Sequence, residues 1–197
     1  MNKLKVIQIL PELNIGGVER GTKDFSKTLV EKGHDSIVIS NGGIFETDIV
    51  SNGGIHINLP VHKKNPLSLF LAFKLAKIYE EHQPDIVHVR SRMPAWINFL
   101  AFKKLKKKPV LISTFHGLYS TPIYSQVMAK VDHIIAISKV VRDYIVETYN
   151  VDISGINFDN HDPILSFHSK HIDEFDYNQI IEERNVLFKD LRVSDDK

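Results

Sequence analysis

The feature that most constrains the fold of this chain is a regular alternation of short apolar runs with longer amphipathic runs. The alternation begins at Val6 and continues to about Tyr149, with short connections between the runs. Short runs rich in β-branched residues predict strands that are buried on both faces, and the amphipathic runs between them predict helices. A strand–helix–strand order with short connections is typical of a parallel sheet covered by helices on both faces. We therefore predict an α/β fold with a doubly wound parallel sheet over residues 1–150.

The predicted elements follow one another without an internal repeat. Strands are placed at residues 6–10, 37–39, 55–59, 85–89, 109–114 and 132–137, and helices at residues 18–32, 67–82, 94–102 and 139–149. Residues 115–122 are expected to form a loop. His88 alternates with valines, which predicts that it lies in the core. Ser138 ends a predicted strand just before a predicted helix, and it is expected to cap that helix. Residues 151–197 show no usable periodicity apart from a helical pattern at 180–191, so an irregular tail is expected there.

The composition excludes several classes of protein. The 197 residues include 25 Lys and Arg against 24 Asp and Glu, and a net charge of +1 does not favour a nucleic-acid-binding protein. The chain has no cysteine, which rules out disulfides and thiolate metal sites. The first residues do not resemble a secretory signal peptide, and no apolar run reaches the ~18 residues of a membrane-spanning helix. We expect a cytoplasmic protein, with the inner face of the cytoplasmic membrane as an alternative location.

Two adjacent glycines, Gly16 and Gly17, stand between the first predicted strand and the first predicted helix. The chain contains no G-x-x-x-x-G-K-[ST] string of the P-loop type. It also lacks the G-x-G-x-x-G spacing of dinucleotide-binding proteins, and Ser40 and Asn41 stand where an acidic residue is expected after the second strand. A glycine-rich turn at a helix N-terminus favours an anion or a polar oxygen that approaches the backbone closely. Tight packing of strand against helix with no ligand is the alternative, and the spacing alone leaves both open.

Four ordered segments carry a resemblance to a known family. They are ILPELNIGGVERGTKDFSKTLVEKGHDSIVIS, PDIVHVRSRMPAW, LISTFHG and VDHIIAISKVVRDYI. They resemble the N-terminal domain of retaining family-4 glycosyltransferases with the GT-B fold, in particular lipopolysaccharide-core and capsule-type transferases, over about residues 5–150. In that family two Rossmann-like domains face each other across a cleft. The N-terminal domain binds mainly the acceptor, and the C-terminal domain binds the nucleotide sugar.

The resemblance implies a sugar transferase that uses a nucleotide sugar as co-substrate, with no metal ion or other cofactor. The family's C-terminal E-x7-E signature does not occur in this chain, and HIDEFDYN at residues 171–178 resembles only in part the crossover to the second domain. We therefore expect one half of a GT-B fold, with residues 151–197 at the interdomain boundary, and no independent catalysis without a donor domain. The alternative is a non-catalytic remnant of a split or decayed transferase gene that keeps the fold and binds a glycan or a partner. An unrelated nucleotide-binding protein is disfavoured by the missing acidic residue after the second strand.

The resemblance also implies roles for individual residues. Gly16 and Gly17 match the loop that approaches the donor phosphates and the acceptor. Glu19 follows in the first turn of the helix, either as a ligand contact or as a carboxylate favoured by the helix N-terminus. His116, in STFHG, matches a histidine that contacts the transferred sugar, and it is the expected catalytic residue. A loop histidine bonded to a backbone carbonyl is the alternative.

Two arginines follow the fourth predicted strand, in HVRSR. Guanidinium groups there suit a phosphate or a carboxylate through paired hydrogen bonds, so Arg90 and Arg92 are expected to bind substrate, with a surface salt bridge as the alternative. The carboxyl ends of parallel strands share one edge of a sheet. We therefore expect Arg90, His116 and the glycine pair to line one rim.

A basic run, KKLKKK at residues 103–108, ends one predicted helix, and LSLFLAFKLAKIY lies at residues 67–79. A solvated surface that complements the carbonyl end of the helix is the simpler interpretation. The alternative is a docking surface for a lipid-linked acceptor or an anionic membrane. The expected partners are a glycan or lipid-linked acceptor, a separate donor domain or a second copy of the chain, and a peripheral membrane surface, but no nucleic acid. The His and Asp residues at 159–173 match no metal-ligand spacing, so no metal site is expected.

Overall fold

A computed structural model describes residues 3–63, 66–119, 122–151 and 165–168. In these residues a seven-stranded sheet has the order β3-β2-β1-β4-β5-β6-β7. Strands β1 to β6 pair in parallel, and β7 pairs with β6 in the antiparallel direction. The strands are β1 (Lys5–Ile9), β2 (Asp35–Ser40), β3 (Ile55–Asn58), β4 (Ile86–Val89), β5 (Val110–Phe115), β6 (His133–Ala136) and β7 (Leu165–His168).

Helices connect the parallel strands on both faces of the sheet. In the described part of the chain they are α1 (Gly17–Glu31), α2 (Glu46–Ser51), α3 (Leu71–His82), α4 (Arg92–Phe102), α5 (Pro122–Ser125) and α6 (Lys139–Tyr149). Two 3-10 helices add to them, one directly before α3 (Pro66–Phe70) and one directly after α5 (Gln126–Ala129).

The two faces of the sheet bury different helices. On one face Leu75 of α3, Ile97 of α4 and Ile145 of α6 belong to the largest apolar cluster, together with alternate residues of the strands. On the other face α1 packs Phe25 and Leu29 against β1. Full burial of a large aliphatic or aromatic side chain contributes about 1.5–3 kcal/mol, and this two-sided core accounts for β1, β2, β4 and β6 being buried at every position after the first.

The strand order reverses between β1 and β4, because the chain builds β2 and β3 on one side of β1 and then crosses to the other side. In open α/β sheets, ligands bind in the crevice outside the carboxyl ends of the strands at such a reversal. Ile9 at the end of β1 pairs with Val89 at the end of β4. The residues that follow these two strands therefore meet at the reversal.

The predicted doubly wound parallel sheet is confirmed, since all six predicted strands are present with both ends within two residues of their predicted bounds. His88 is buried, and Ser138 caps α6 by accepting a hydrogen bond from the backbone N–H of Val141 at 3.3 Å. The helix predicted at 94–102 starts two residues earlier, at Arg92, and the short helices α2 and α5 were not predicted. Six and four residues are too few to show a helical period.

Strand β7 lies inside the segment 151–197, for which an irregular tail was expected. Its four residues, LSFH, are too short an alternation to stand out among the polar residues around them, and they pair with β6, which is distant in sequence. The predicted helix at 180–191 and the partial crossover motif at 171–178 lie outside the described residues.

Candidate functional site

The first candidate residue, Arg90, directly follows β4 at the reversal of the sheet. Its backbone N–H donates to the carbonyl oxygen of Ile9 at 3.0 Å, which ties it to the neighbouring strand. Its side chain lies against α1, with Cζ 6.0 Å from the centroid of the Phe25 ring. A Cβ added at Gly21, one turn into α1, would lie 3.9 Å from Nη1 of Arg90. An alanine at Gly21 would make only ordinary van der Waals contact with the guanidinium group, so this distance places Gly21 beside Arg90 without making a glycine necessary there.

The guanidinium of Arg90 is buried without a counter-anion. The residue is only 8% exposed, and its buried Nε has no hydrogen-bond partner. None of the ion pairs in the described part of the chain involves Arg90, so the salt-bridge alternative does not fit this residue. Burial lowers its pKa to about 10, which leaves it charged at neutral pH. A buried charge without a partner is costly, and an anion bound at this position would offset that cost.

The second candidate, His116, directly follows β5, which is the neighbour of β4 in the sheet. Its Nε2 is buried and has no hydrogen-bond partner. Burial, and to a smaller extent the positive charge of Arg90, lower the pKa of His116 to about 4. The ring is therefore neutral at physiological pH, and Nε2 remains able to bond to a ligand.

His88 lies on the same face of the sheet, one alternate position before Arg90. It is 4% exposed, and its Nε2 is 2.7 Å from Oγ1 of Thr114. Burial lowers the pKa of His88 well below its usual value, and the positive charge of Arg90 adds to this effect. The prediction of a core histidine is confirmed, and His88 with Thr114 forms a neutral polar layer beneath the two candidate residues.

The glycine turn stands at the beginning of α1 beside Arg90. Gly16 is the N-cap residue with an extended backbone, it provides no side-chain cap, and Gly17 is the first helical residue. A Cβ added at Gly17 would meet no atom within 4 Å, and one added at Gly16 would meet only the movable carboxylate of Glu19. Neither glycine is therefore required by packing of strand against helix. The alternative of tight packing without a ligand does not fit this turn.

The first turn of α1 presents free backbone N–H groups, because no side chain caps the helix. These groups and the helix dipole favour negative charge at this end of the 15-residue helix. Glu19, the third helical residue, folds back towards Gly16. Its position agrees with a carboxylate favoured by the helix N-terminus, and its role as a ligand contact stays a prediction.

Arg92, two residues after Arg90, has different surroundings. Its Cζ lies 4.8 Å from the ring centroid of Tyr119 and 5.5 Å from that of Tyr124. Its Nη1 donates to Oγ of Ser125 at 3.5 Å, and it takes part in none of the ion pairs of the described residues. Stacking of this kind contributes about 0.5–2 kcal/mol. Arg92 thus anchors the segment that follows His116, and a direct contact with substrate stays a prediction.

The sequence reasoning did not identify Gly21, Tyr119 or Tyr124. The signal for Gly21 was its place one turn after the glycine pair. The two tyrosines carried no comparable signal, because their contact with Arg92 joins segments that lie far apart in sequence. Among the described residues no group of three or more His, Cys, Asp and Glu side chains is arranged to hold a metal ion. In that same part of the chain no helix combines the length and the apolar character needed to cross a membrane.

Comparisons with known proteins show the family and the fold of the chain. The sequence profile of Glycosyltransferase Family 4 matches residues 15–156, which is more than half of the chain. A glycosyltransferase from Rickettsia africae ESF-5 is 36% identical, with a TM-score of 0.66 over 77% of this chain and 41% of its own. The Anabaena protein HepE, solved in complex with UDP and glucose, is 15% identical, with a TM-score of 0.56 over 74% of this chain and 41% of its own. The lipopolysaccharide outer core galactosyltransferase WaaB in its apo form is 16% identical, with a TM-score of 0.54 over 78% of this chain and 43% of its own.

The chain therefore spans about two fifths of the length of the structures that it matches. A search of curated proteins found no significant match. The two more distant structures establish only the shared fold. The family profile covers the glycine turn, both arginines and His116, and the Rickettsia structure adds the same fold at substantial identity. The chain belongs to glycosyltransferase family 4.

Proposed function

We propose that this chain is the acceptor-side half of a retaining transferase that moves a sugar from a nucleotide donor to a lipopolysaccharide or other cell-envelope glycan. The observation that carries the proposal is the pair of buried, unpartnered nitrogens, Nε of Arg90 and Nε2 of His116, at the ends of neighbouring strands. An unsatisfied buried polar group costs about 1–3 kcal/mol, and more when it is charged. Two such groups at the ligand-binding edge of the sheet favour the binding of a polar, anionic ligand there.

In the proposed reaction His116 holds a hydroxyl of the transferred sugar through Nε2. A pKa of about 4 keeps the ring neutral at physiological pH, so that it serves as a hydrogen-bonding group without adding a charge. Retaining transfer requires the acceptor hydroxyl and the leaving diphosphate to be held on the same face of the sugar. A fixed, neutral imidazole at the end of β5 suits such a positioning role.

Arg90 and the N-terminus of α1 bind an anionic group in this proposal, either a donor phosphate or an acidic group of the acceptor. The guanidinium supplies a charge that no described carboxylate neutralises, and the first turn of α1 supplies free N–H groups. Gly16 and Gly17 let the ligand approach this turn. Glu19 contacts the ligand from the same turn, and Arg92 holds the loop after His116 in place.

In this proposal a partner surface, either a donor domain or a second copy of the chain, covers this rim. Large apolar side chains are exposed in the segments that follow β1, β2 and β5, which all lie at this edge. They are Ile15, Ile44, Leu118 and Ile123, with exposures of 84%, 57%, 58% and 81%. Exposed apolar residues gathered at one edge favour a partner surface. The nucleotide-bound HepE and the lipopolysaccharide transferase WaaB support the proposed donor and acceptor classes.

The experiment combines calorimetric titration of the purified chain with UDP-, GDP- and ADP-sugars and a radiolabelled-sugar transfer assay on membrane extracts. The chain alone is expected to show weak nucleotide binding and no measurable transfer, because holding two substrates together contributes up to about 7–11 kcal/mol to such a reaction. Binding to the glycan acceptor is expected for the wild type and lost in Arg90→Met and His116→Gln, while Lys27→Gln serves as the surface control. Robust turnover by the chain alone would contradict the half-enzyme, and equal acceptor binding by all variants would contradict the site.

A further inference from the structure

The helix α3 and the 3-10 helix before it expose large apolar side chains on one side. Leu67, Phe70 and Phe73 are 72%, 67% and 60% exposed. Between them Ser68 and Ala72 are buried, at 5% and 1% exposure, and Leu69 and Leu71 are partly buried against the main apolar cluster. The spacing of three residues places the exposed side chains on successive turns of one face. A soluble protein rarely exposes neighbouring large apolar side chains unless they contact something.

Exposed lysines occur in the same segments as these apolar residues and in the segment after α4. Nζ of Lys104, the second residue after α4, lies 3.9 Å from the ring centroid of Phe73, and so joins the end of α4 to the exposed face of α3. Nζ of Lys103 lies 4.6 Å from the ring centroid of Phe99. We call Leu67, Phe70, Phe73 and the exposed lysines of these segments the lysine–phenylalanine surface. Its lysines are Lys63, Lys74, Lys77, Lys103, Lys104, Lys106, Lys107 and Lys108.

The surface lies within two stretches of chain, residues 49–79 and 86–131, that contain no acidic residue. No Asp or Glu occurs between Asp48 and Glu80, or between Asp85 and Asp132, although the whole chain has 24 of them and a net charge of only +1. None of the lysines of the surface takes part in an ion pair of the described residues. The only acidic residues of α3, Glu80 and Glu81, lie in its last turn, away from Phe70 and Phe73. The positive charge of the chain is therefore concentrated here.

We propose that the lysine–phenylalanine surface docks the protein on an anionic lipid bilayer. Lysines near such a surface are attracted to its headgroups, and exposed Phe and Leu side chains insert at the boundary between headgroups and acyl chains. The contact of Lys104 with Phe73 holds an ammonium group and a ring side by side, as a bilayer interface requires. This docking goes beyond the proposed transfer reaction, because it uses none of the residues of the rim.

Two other occupants fit the surface less well. A nucleic acid would neutralise the lysines but would leave Leu67, Phe70 and Phe73 exposed to water. A second copy of this chain, paired through the same patch on a twofold axis, would bring two clusters of eight lysines face to face. A bilayer with anionic headgroups matches both the charge and the apolar residues.

The test is flotation of the full chain with vesicles of phosphatidylcholine, with and without phosphatidylglycerol, at low and at high salt. Two double variants remove one component each: Phe70→Ser with Phe73→Ser, and Lys106→Gln with Lys107→Gln. The matched controls are Val50→Ser, which changes an exposed valine of α2, and Lys27→Gln on α1. All these side chains are exposed, and circular dichroism verifies that each variant is folded.

We expect the wild type and both controls to float only with vesicles that contain phosphatidylglycerol, and to be released by salt. The lysine double variant should bind at least about tenfold more weakly, because each basic residue near an anionic surface contributes about fivefold. The phenylalanine double variant should bind about tenfold more weakly as well, with the salt dependence retained. Flotation unchanged in both double variants, or equal flotation with neutral vesicles, would overturn the proposal. The proposal would also be overturned if the wild type bound no vesicles and instead formed a nucleic-acid complex or a dimer that is lost in these variants.

Discussion

Two glycine pairs lie at the same edge of the sheet and have opposite surroundings. Gly42 and Gly43 follow β2, both with positive φ (87° and 143°), and a Cβ at Gly43 would lie 2.5 Å from the carbonyl carbon of Leu13. Gly16 and Gly17 follow β1, Gly16 has an extended backbone, and a Cβ at Gly17 would meet nothing within 4 Å. The first pair is required by the fold, whereas the second leaves space at the N-terminus of a helix.

The histidines beside the two turns show the same contrast. Near the packed turn, His56 uses both ring nitrogens: Nε2 lies 2.9 Å from Oγ of Ser40, and Nδ1 lies 3.2 Å from Oε1 of Glu46. At the same edge of the sheet as the other turn, but following β5, Nε2 of His116 is buried without a partner. Most buried polar groups of a protein have a hydrogen-bond partner, although Oε1 of Gln8 and Nδ2 of Asn98 in this chain have none. An unpartnered histidine at the ligand-binding edge of the sheet therefore supports a ligand site there.

The packed turn also holds the loop that leads to the open one. The N–H of Leu13 donates to the carbonyl of Gly42 at 2.8 Å, and the N–H of Phe45 donates to the carbonyl of Leu13 at 3.1 Å. The loop between β1 and α1 is thus fixed by backbone contacts that a side chain at Gly43 would disrupt. The turn at Gly42 and Gly43 thus holds in place the loop that leads to Gly16 and Gly17.

The largest effect is expected for Gly43→Ala. The new methyl group would overlap the backbone of Leu13, and the positive φ is unfavourable for alanine, so a loss of about 2–4 kcal/mol of unfolding free energy follows. In a domain of this size that loss lowers the melting temperature by about 5–15 °C in calorimetry. Gly33→Ala is the control, because Gly33 has a φ of 83° with no atom near its absent Cβ. Equal losses in the two variants would mean that the contact with Leu13 is not decisive.

The second effect concerns pH and the unpartnered His116. Its pKa of about 4 in the folded chain is below the ordinary value of 6.5, so the unfolded chain binds a proton more readily between these values. The uncharged ring therefore contributes about 1–3 kcal/mol to the free energy of unfolding. This contribution is fully present above pH 6.5 and is lost as the pH falls towards 4. Urea unfolding of the wild type and of His116→Gln at several pH values measures it. The variant should lose less stability on acidification, and parallel curves would contradict the buried, uncharged state of His116.

The edge of the sheet that carries both turns could be predicted from the sequence, but the difference between the turns could not. Strand alternation places Arg90 and His116 directly after strands, and parallel pairing then places both at one edge. In the sequence Gly43 marks only the end of a predicted strand. Its role could not be predicted, because its contact is with Leu13, thirty residues earlier in the chain. Contacts between loops depend on how the strands are ordered, and a local pattern does not contain that order.

The two arginines illustrate the same limit. Arg90 and Arg92 are two residues apart and carry the same guanidinium group, so no local pattern distinguishes them. In the structure Arg90 lies against α1 without a counter-anion, whereas Arg92 starts α4 and stacks on Tyr119 and Tyr124. Arg92 differs from Arg90 because it stacks on tyrosines that follow β5. This contact exists only once β4 and β5 are paired.

A third, smaller effect separates these arginines. Arg90→Met removes a buried charge that no carboxylate neutralises, so the unfolding free energy should stay equal or rise by about 1 kcal/mol. Arg92→Met removes stacking on two rings and should lower it by about 1–2 kcal/mol. Inorganic pyrophosphate should raise the melting temperature of the wild type and of Arg92→Met, but not of Arg90→Met. A greater loss of stability in Arg90→Met than in Arg92→Met would show that Arg90 is a structural residue.

The smallest change in stability is expected for Gly17→Ala, and it is the sharpest test of the open turn. Alanine at the first helical position meets no atom and restricts the unfolded chain, so the unfolding free energy should stay within about 0.5 kcal/mol of the wild type or rise slightly. The added methyl group nevertheless occupies the approach to the free N–H groups of α1, and the stabilisation by pyrophosphate should fall. Thermal unfolding with and without pyrophosphate measures both quantities in one series. If stability and the pyrophosphate effect are both unchanged, the space at Gly17 binds no anion, and Arg90 must act with a different partner.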